Sequence, residues 1–170
     1  NQDKEVSVAT DSAIFANSQN FTPLSGVSNI KTVHCNENGY YSVYQSDRYG
    51  YNNPDSEWDS ERISFFLVGD SFTQGACVNR PDDIASVLRE LSKSSVLNLG
   101  VSGSGTLFQY AVLREYLGNN VDNVILNFFP NDINNLIAEL QSNNLNNYFN
   151  NKSFTQNLKN RQDEIDAVTR

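Results

Sequence analysis

Apolar positions along the 170 residues are distributed in two ways: scattered before about position 62, and gathered into runs and stripes after it. The run Ile63-Ser64-Phe65-Phe66-Leu67-Val68, closed by Gly69, has the length and the β-branched and aromatic content of a buried strand. Ser95-Val96-Leu97-Asn98-Leu99, ended by Gly100, and Val124 to Phe129, ended by Pro130-Asn131-Asp132, read the same way. Between the first two runs, Ile84, Val87, Leu88 and Leu91 recur at i, i+3, i+4 and i+7. That spacing predicts a helix burying the stripe, with Asp82 or Asp83 as its cap. Leu107, Tyr110, Ala111, Leu113 and Leu117 predict a second helix, and Ile133 to Leu140 a short third one. Strand and helix alternate three times, which predicts a βαβαβ unit with right-handed crossovers and a parallel sheet covered on both faces. The strands read as near-continuous apolar runs, as buried parallel strands do.

The first 62 residues lack this order. Residues 1–34 are rich in Ser, Asn, Thr and Asp, with isolated anchors at Val6, Val8, Ile14, Phe15, Phe21 and Leu24, and predict an extended arm on the domain surface. Tyr40 to Gln45 alternates in part and runs into Ser46-Asp47-Arg48-Tyr49-Gly50, a turn signal, so a short strand or hairpin arm is expected there. Trp58 and the tyrosines before it predict aromatic packing under a long loop. From Gln141 the chain is dominated by asparagine and reads as a polar loop rather than a lid. Phe154, Leu158, Ile165 and Val168 allow a weakly amphipathic helix over 154–168. The expected organisation is an irregular arm with a short β segment over 1–62 and an α/β domain over 63–170.

A net charge of −8 and the lack of any Lys/Arg cluster argue against a nucleic-acid partner. No apolar run approaches the ~20 residues of a membrane span. The chain begins at Asn1 and contains no methionine, which reads as a mature or trimmed polypeptide. Cys35 and Cys77 have no third or fourth soft ligand for structural zinc. They are two buried thiols or one disulfide, and their polar, loop-like surroundings favour the disulfide and an oxidising compartment. His34 is the single histidine. With no flanking carboxylate or second ligand it reads as a loop or surface residue.

Chemistry gathers directly after the three strands, at Gly69-Asp70-Ser71, Gly100-Val101-Ser102-Gly103 and Asn131-Asp132. In a parallel sheet these ends point the same way, where ligands collect. A serine hydroxyl, a glycine N–H and a side-chain amide then converge, the inventory of acyl transfer. Thr73 stands where Gly-x-Ser-x-Gly requires glycine, so the α/β-hydrolase elbow does not match. Gly100-x-x-Gly103-x-Gly105 is not the dinucleotide fingerprint. Asp70 and Asp132 are too few for a hard-cation set, and no cofactor is expected.

The three blocks resemble those of the SGNH (GDSL-type) esterases and acyltransferases over about Ile63 to Leu140. The first block is Gly69-Asp70-Ser71, the second runs from Asn98 to Gly103, and the third is Phe128-Phe129-Pro130-Asn131-Asp132. The resemblance implies a flavodoxin-like three-layer parallel sheet. It makes Ser71 the nucleophile, with the Ser71 and Gly103 N–H groups and the Asn131 side chain as the oxyanion hole, and gives Asp70 and Asp132 the support of loop geometry. It implies action on ester-linked acyl groups of small esters or acetylated carbohydrate. Cys35 to Pro54 also resembles the region preceding the catalytic domain in bacterial extracytoplasmic members, implying a periplasmic or secreted protein.

Two departures stand out. Phe129 occupies the place of a glycine. The family's C-terminal Asp-x-x-His is absent, and no histidine follows Ser71. A serine without an imidazole has no general base, so the chain as written is expected to hydrolyse esters slowly or not at all. Either the domain is incomplete, with that block beyond Arg170, or it is a non-catalytic module that binds acylated glycans.

Overall fold

The computed structural model describes residues 5–12 and 21–170, so Ile14 and Phe15 of the predicted arm lie outside the described residues. The arm makes its own small sheet. β1 (Val6–Val8) pairs parallel with β2 (Lys31–Val33), which pairs antiparallel with β3 (Val43–Gln45). β3 falls inside the stretch that alternates in the sequence. β1 and β2 have no local pattern to announce them, because Val6 and Val8 are exposed and β2 buries only Thr32.

The predicted alternation follows. β4 (Ile63–Val68), β5 (Val96–Asn98) and β6 (Val121–Leu126) form a parallel sheet in the order β5-β4-β6. The helices are α1 (Ser71–Gln74), α2 (Ile84–Ser92), α3 (Thr106–Tyr116), α4 (Asn131–Glu139), α5 (Asn143–Asn150) and α6 (Gln162–Thr169). Side chains alternate across a strand. Phe66 and Val68 of β4 accordingly join the main core with Leu97, Leu99, Phe108, Ala111, Val112, Tyr116, Leu145, Tyr148, Leu158 and Ile165. Leu67 turns to the opposite face, against Ala85 of α2 and Val96. Tyr49, Tyr51 and Trp58 meet Tyr116 in mostly edge-on contacts, the aromatic packing expected beneath the loop.

Three expectations need correction. Asp83 does cap α2, accepting from Ser86 N–H at 3.0 Å, but the predicted stripe is not buried. Leu91 is 78% exposed, Ile84 and Val87 are close to half exposed, and the buried residue is Ala85. The cause is lateral. α2 packs over β5, and between it and β6 the sheet face at Ile125 is left uncovered, so Ile84, Val87 and Leu91 line an open groove with Leu67 and Ile125. β6 is likewise not a buried run: it begins at Val121, and Val124 and Leu126 within it and Phe128 beyond it are exposed. Residues 143–150 are helical rather than a loop. Ser142 caps α5, and Leu145 and Tyr148, three residues apart, supply a two-residue buried stripe among asparagines. At the C-terminal side, a 3-10 turn (Leu158–Asn160) precedes α6; Leu158 and Ile165 are buried while Val168 is exposed.

Cys35 and Cys77 are joined by a disulfide, with Cα atoms 5.1 Å apart, tying the arm to the segment after α1. Among the described residues no helix is long and apolar enough to cross a membrane.

Candidate active site

Because β5, β4 and β6 are parallel neighbours, the loops leaving their carboxyl ends lie side by side, with the Ser71 turn between the other two. Gly69 ends β4. A Cβ there would stand 2.1 Å from Thr73 Oγ1 and 2.9 Å from Asn127 O, so any larger residue would push α1 off the strand ends. Asp70 follows, fully buried, as the cap of α1. One carboxylate oxygen accepts from Phe72 N–H at 3.0 Å and the other from Asn131 Nδ2 at 2.8 Å. Ser71 is the first residue of α1 and half-buried. Its N–H, like any in a first helical turn, has no partner within the helix.

The far end of α1 is held by three asparagine amides. Asn98 Nδ2 donates to Thr73 O at 2.7 Å, Asn52 Nδ2 to Gln74 O at 2.8 Å, and Asn127 Nδ2 to Thr73 Oγ1 at 3.0 Å. They come from β5, the arm and the end of β6; the first two satisfy carbonyls that a four-residue helix leaves unpaired, and the third holds the Thr73 hydroxyl. Asn98, wholly buried, also accepts from Gly100 N–H at 2.9 Å. Asn53 in turn holds Asn98, accepting from its N–H at 2.8 Å and donating to its carbonyl at 2.9 Å. Behind Asn53 is the buried carboxylate of Asp47, which accepts from Asn53 Nδ2, Trp58 Nε1 and two backbone N–H groups. Burial pushes its pKa up. The segment from Asp47 to Asn53 is therefore scaffolding for the strand ends.

Gly103 has φ +73°, in the left-handed region, and a Cβ there would fall 2.3 Å from Asp11 Oδ1 of the arm. The next residue of the arm, Ser12, donates its N–H to Ser102 O at 3.0 Å. Where the loop enters α3, the carboxylate of Glu139 accepts from the N–H groups of Gly105, Leu107 and Phe108, which joins α3 to the helix that starts with Asn131. Burial raises the Glu139 pKa, opposed by those three donors.

Asn131 opens α4 after Pro130, and the buried Asp132 accepts from Phe129 N–H at 3.1 Å. The Asn131 amide has two protons. Asp70 takes one, and the other is available to a ligand. Phe129 needs no glycine-like backbone, since its φ is not positive. Its ring stacks on Phe72 at 4.3 Å between centroids, 15° from parallel, forming an aromatic wall beside Ser71.

Sequence reasoning places Ser71, Asp70, Gly103, Asn131 and Asp132 on these three loops, and the Asp70–Asn131 bond joins the first to the third. It passes over Asn52, Asn53, Gln74 and Asn127. His34 does lie in a loop, directly after β2, but is half-buried rather than on the surface, with Nε2 2.9 Å from Ser102 Oγ. Among the described residues no side chain hydrogen-bonds the Ser71 hydroxyl.

No family model matches the chain, and no curated protein matches it. Among solved structures it is similar to AlinE4, an SGNH-hydrolase family esterase, at 19% identity and a TM-score of 0.37, over 48% of this chain and 53% of that one. It is also similar to a mutant of esterase AlinE4, at 17% identity and a TM-score of 0.37, over 64% of this chain and 69% of that one. The chain thus spans about half the length of the first of these.

Proposed function

We propose that this chain carries the nucleophile and oxyanion groups of an SGNH-type serine ester hydrolase or acyltransferase, working on ester-linked acyl groups such as those of acetylated carbohydrate. One observation carries the reading: Ser71, Gly103 and Asn131 stand on the carboxyl ends of three adjacent parallel strands, with Asp70 bonded to Asn131. In the proposed mechanism Ser71 Oγ attacks the acyl carbonyl. The Ser71 and Gly103 N–H groups and the second Asn131 Nδ2 proton receive the oxyanion. The leaving alcohol departs as the acyl-serine forms, and water or a second alcohol then takes the acyl group.

The step that lacks a residue is proton removal from Ser71. His34 is engaged with Ser102. The reading therefore needs a base supplied from outside the described residues, and the free edge of β6 leaves the side next to Asn131 open to one. That edge is flanked by exposed Val124, Leu126, Ile133 and Ile137 on one side and Val87 and Leu91 on the other. The disulfide and the family resemblance of the arm favour an extracytoplasmic site of action.

Added imidazole tests the chemistry directly. If Ser71 needs only a base, imidazole accelerates aryl acetate hydrolysis by the chain above the rate with Ser71→Ala. Equal rates overturn the hydrolase reading, and saturable binding of an acetylated oligosaccharide without turnover then makes the domain a binding module.

A further inference from the structure

The hydrogen bonds of the lone histidine can be assigned proton by proton. Ser102 directs two donors at one acceptor: its N–H and its Oγ each lie 2.7 Å from Gln74 Oε1. A backbone N–H can only donate, which identifies that Gln74 atom as the oxygen, and the amide nitrogen turns to Tyr44 OH at 3.2 Å. An amide oxygen can only accept. The single hydroxyl proton of Ser102 therefore goes to Gln74, and Ser102 Oγ accepts from His34 Nε2 at 2.9 Å. His34 thus carries its proton on Nε2. Its bare Nδ1 is buried with no partner among the described residues. Desolvation keeps the ring neutral, lowering its pKa to about 4.

The peptide after Ser102 is the one that matters. Its carbonyl accepts from Ser12 N–H. N–H, Oγ and C=O of Ser102 are then all held, by Gln74, His34 and the arm. In a planar trans peptide the carbonyl and the following N–H point in opposite directions. Fixing Ser102 on these sides fixes the direction of Gly103 N–H.

We propose that His34 is a positioning residue for the candidate oxyanion site, clamping Ser102 so that Gly103 N–H is held in one direction, and is not the base of Ser71. The role given to that N–H rests on the hydrolase reading; the coupling of His34 to Gly103 does not. Other titratable groups near the clamp are Tyr44 on β3, edge-on to the imidazole at 6.1 Å, and Asp11 against Gly103. Asp47 and Arg80 act on Tyr44 in opposite senses.

The test is NMR on the isotopically labelled chain. His34 should show a protonated Nε2 and a bare Nδ1 at neutral pH, and the Gly103 amide should titrate together with His34, below the ordinary histidine range. His34→Phe should shift the Ser102 and Gly103 amides and speed exchange of the Ser102 amide, which donates to Gln74, roughly tenfold or more. His34→Gln keeps a donor for Ser102 and should restore both, even where the phenylalanine variant folds poorly. The imidazole-assisted rate at Ser71 should fall in the first variant and recover in the second. A proton on Nδ1, a Gly103 amide indifferent to His34→Phe, or identical behaviour of the two variants overturns the proposal. The hydrolase reading fails separately, on Ser71→Ala, and leaves the amide readout intact.

Discussion

Asn131 donates to the carboxylate of Asp70 at 2.8 Å, so the cap of the helix that opens with the candidate nucleophile also aims the candidate oxyanion amide. Asn131→Ala removes the amide while leaving the buried Asp70 cap on Phe72 N–H. The expected loss is about 3 kcal/mol of transition-state stabilisation, roughly a hundredfold in the imidazole-assisted rate. Because Asp70 is wholly buried, the variant also leaves one of its carboxylate oxygens without a donor, and stability should fall by about 1–3 kcal/mol. Asp70→Ala should lower both, the rate through Asn131 and the stability by about 1–2 kcal/mol through the lost cap. Aryl acetate assays paired with urea melts separate the two effects.

Asn98→Ala tests the asparagine clamp. It strands Thr73 O and Gly100 N–H, both in buried surroundings. A buried polar group left unpaired costs about 1–3 kcal/mol, so a loss at or above the upper end is expected in urea denaturation. A change below about 0.5 kcal/mol would show that water replaces the amide at no loss.

Much of this site is legible because glycine and proline cut the chain where chemistry begins: Gly69, Gly100 and Pro130 each end an apolar run just before a candidate residue. What escapes local reading is lateral. Nothing within Ile84 to Leu91 says that the strand beside it is an edge, so a helical stripe looks like core. Nor does an asparagine reveal whether it is solvated or clamps a helix. Asn53 meets Asn98 across 45 positions and His34 meets Ser102 across 68. Such contacts become visible only when the chain is folded.

The α2 correction makes a sharp contrast. Leu91→Ser, at a position 78% exposed, should change stability by no more than about 0.5 kcal/mol. Leu99→Ala, at a position wholly buried in the main core, should cost about 2–5 kcal/mol. Similar losses at the two sites would mean that the stripe is covered in solution.

The disulfide closes a 42-residue separation. Chain-entropy arguments put its contribution at about 2–4 kcal/mol, mostly through restriction of the unfolded chain. The paired Cys35→Ser and Cys77→Ser variant should melt lower by that amount yet keep the Ser71 turn, which depends on Asp70 and the asparagines. Free-thiol titration of the denatured, unreduced protein should find no thiol.

His34 makes a prediction with a defined sign. Its folded pKa of about 4 lies below the ordinary 6.5, so between those values the unfolded chain binds the proton and the folded one does not. Stability must then fall as pH drops through that window, by up to on the order of 3 kcal/mol, and flatten below it. Carboxylates titrate in the same range, so the comparison is with His34→Gln, which has no imidazole to protonate. The variant should lose less stability than the wild type between pH values of about 6.5 and about 4. Parallel curves would mean that the imidazole titrates alike in both states, and that it is not held in the desolvated, Nε2-protonated form between β2 and Ser102.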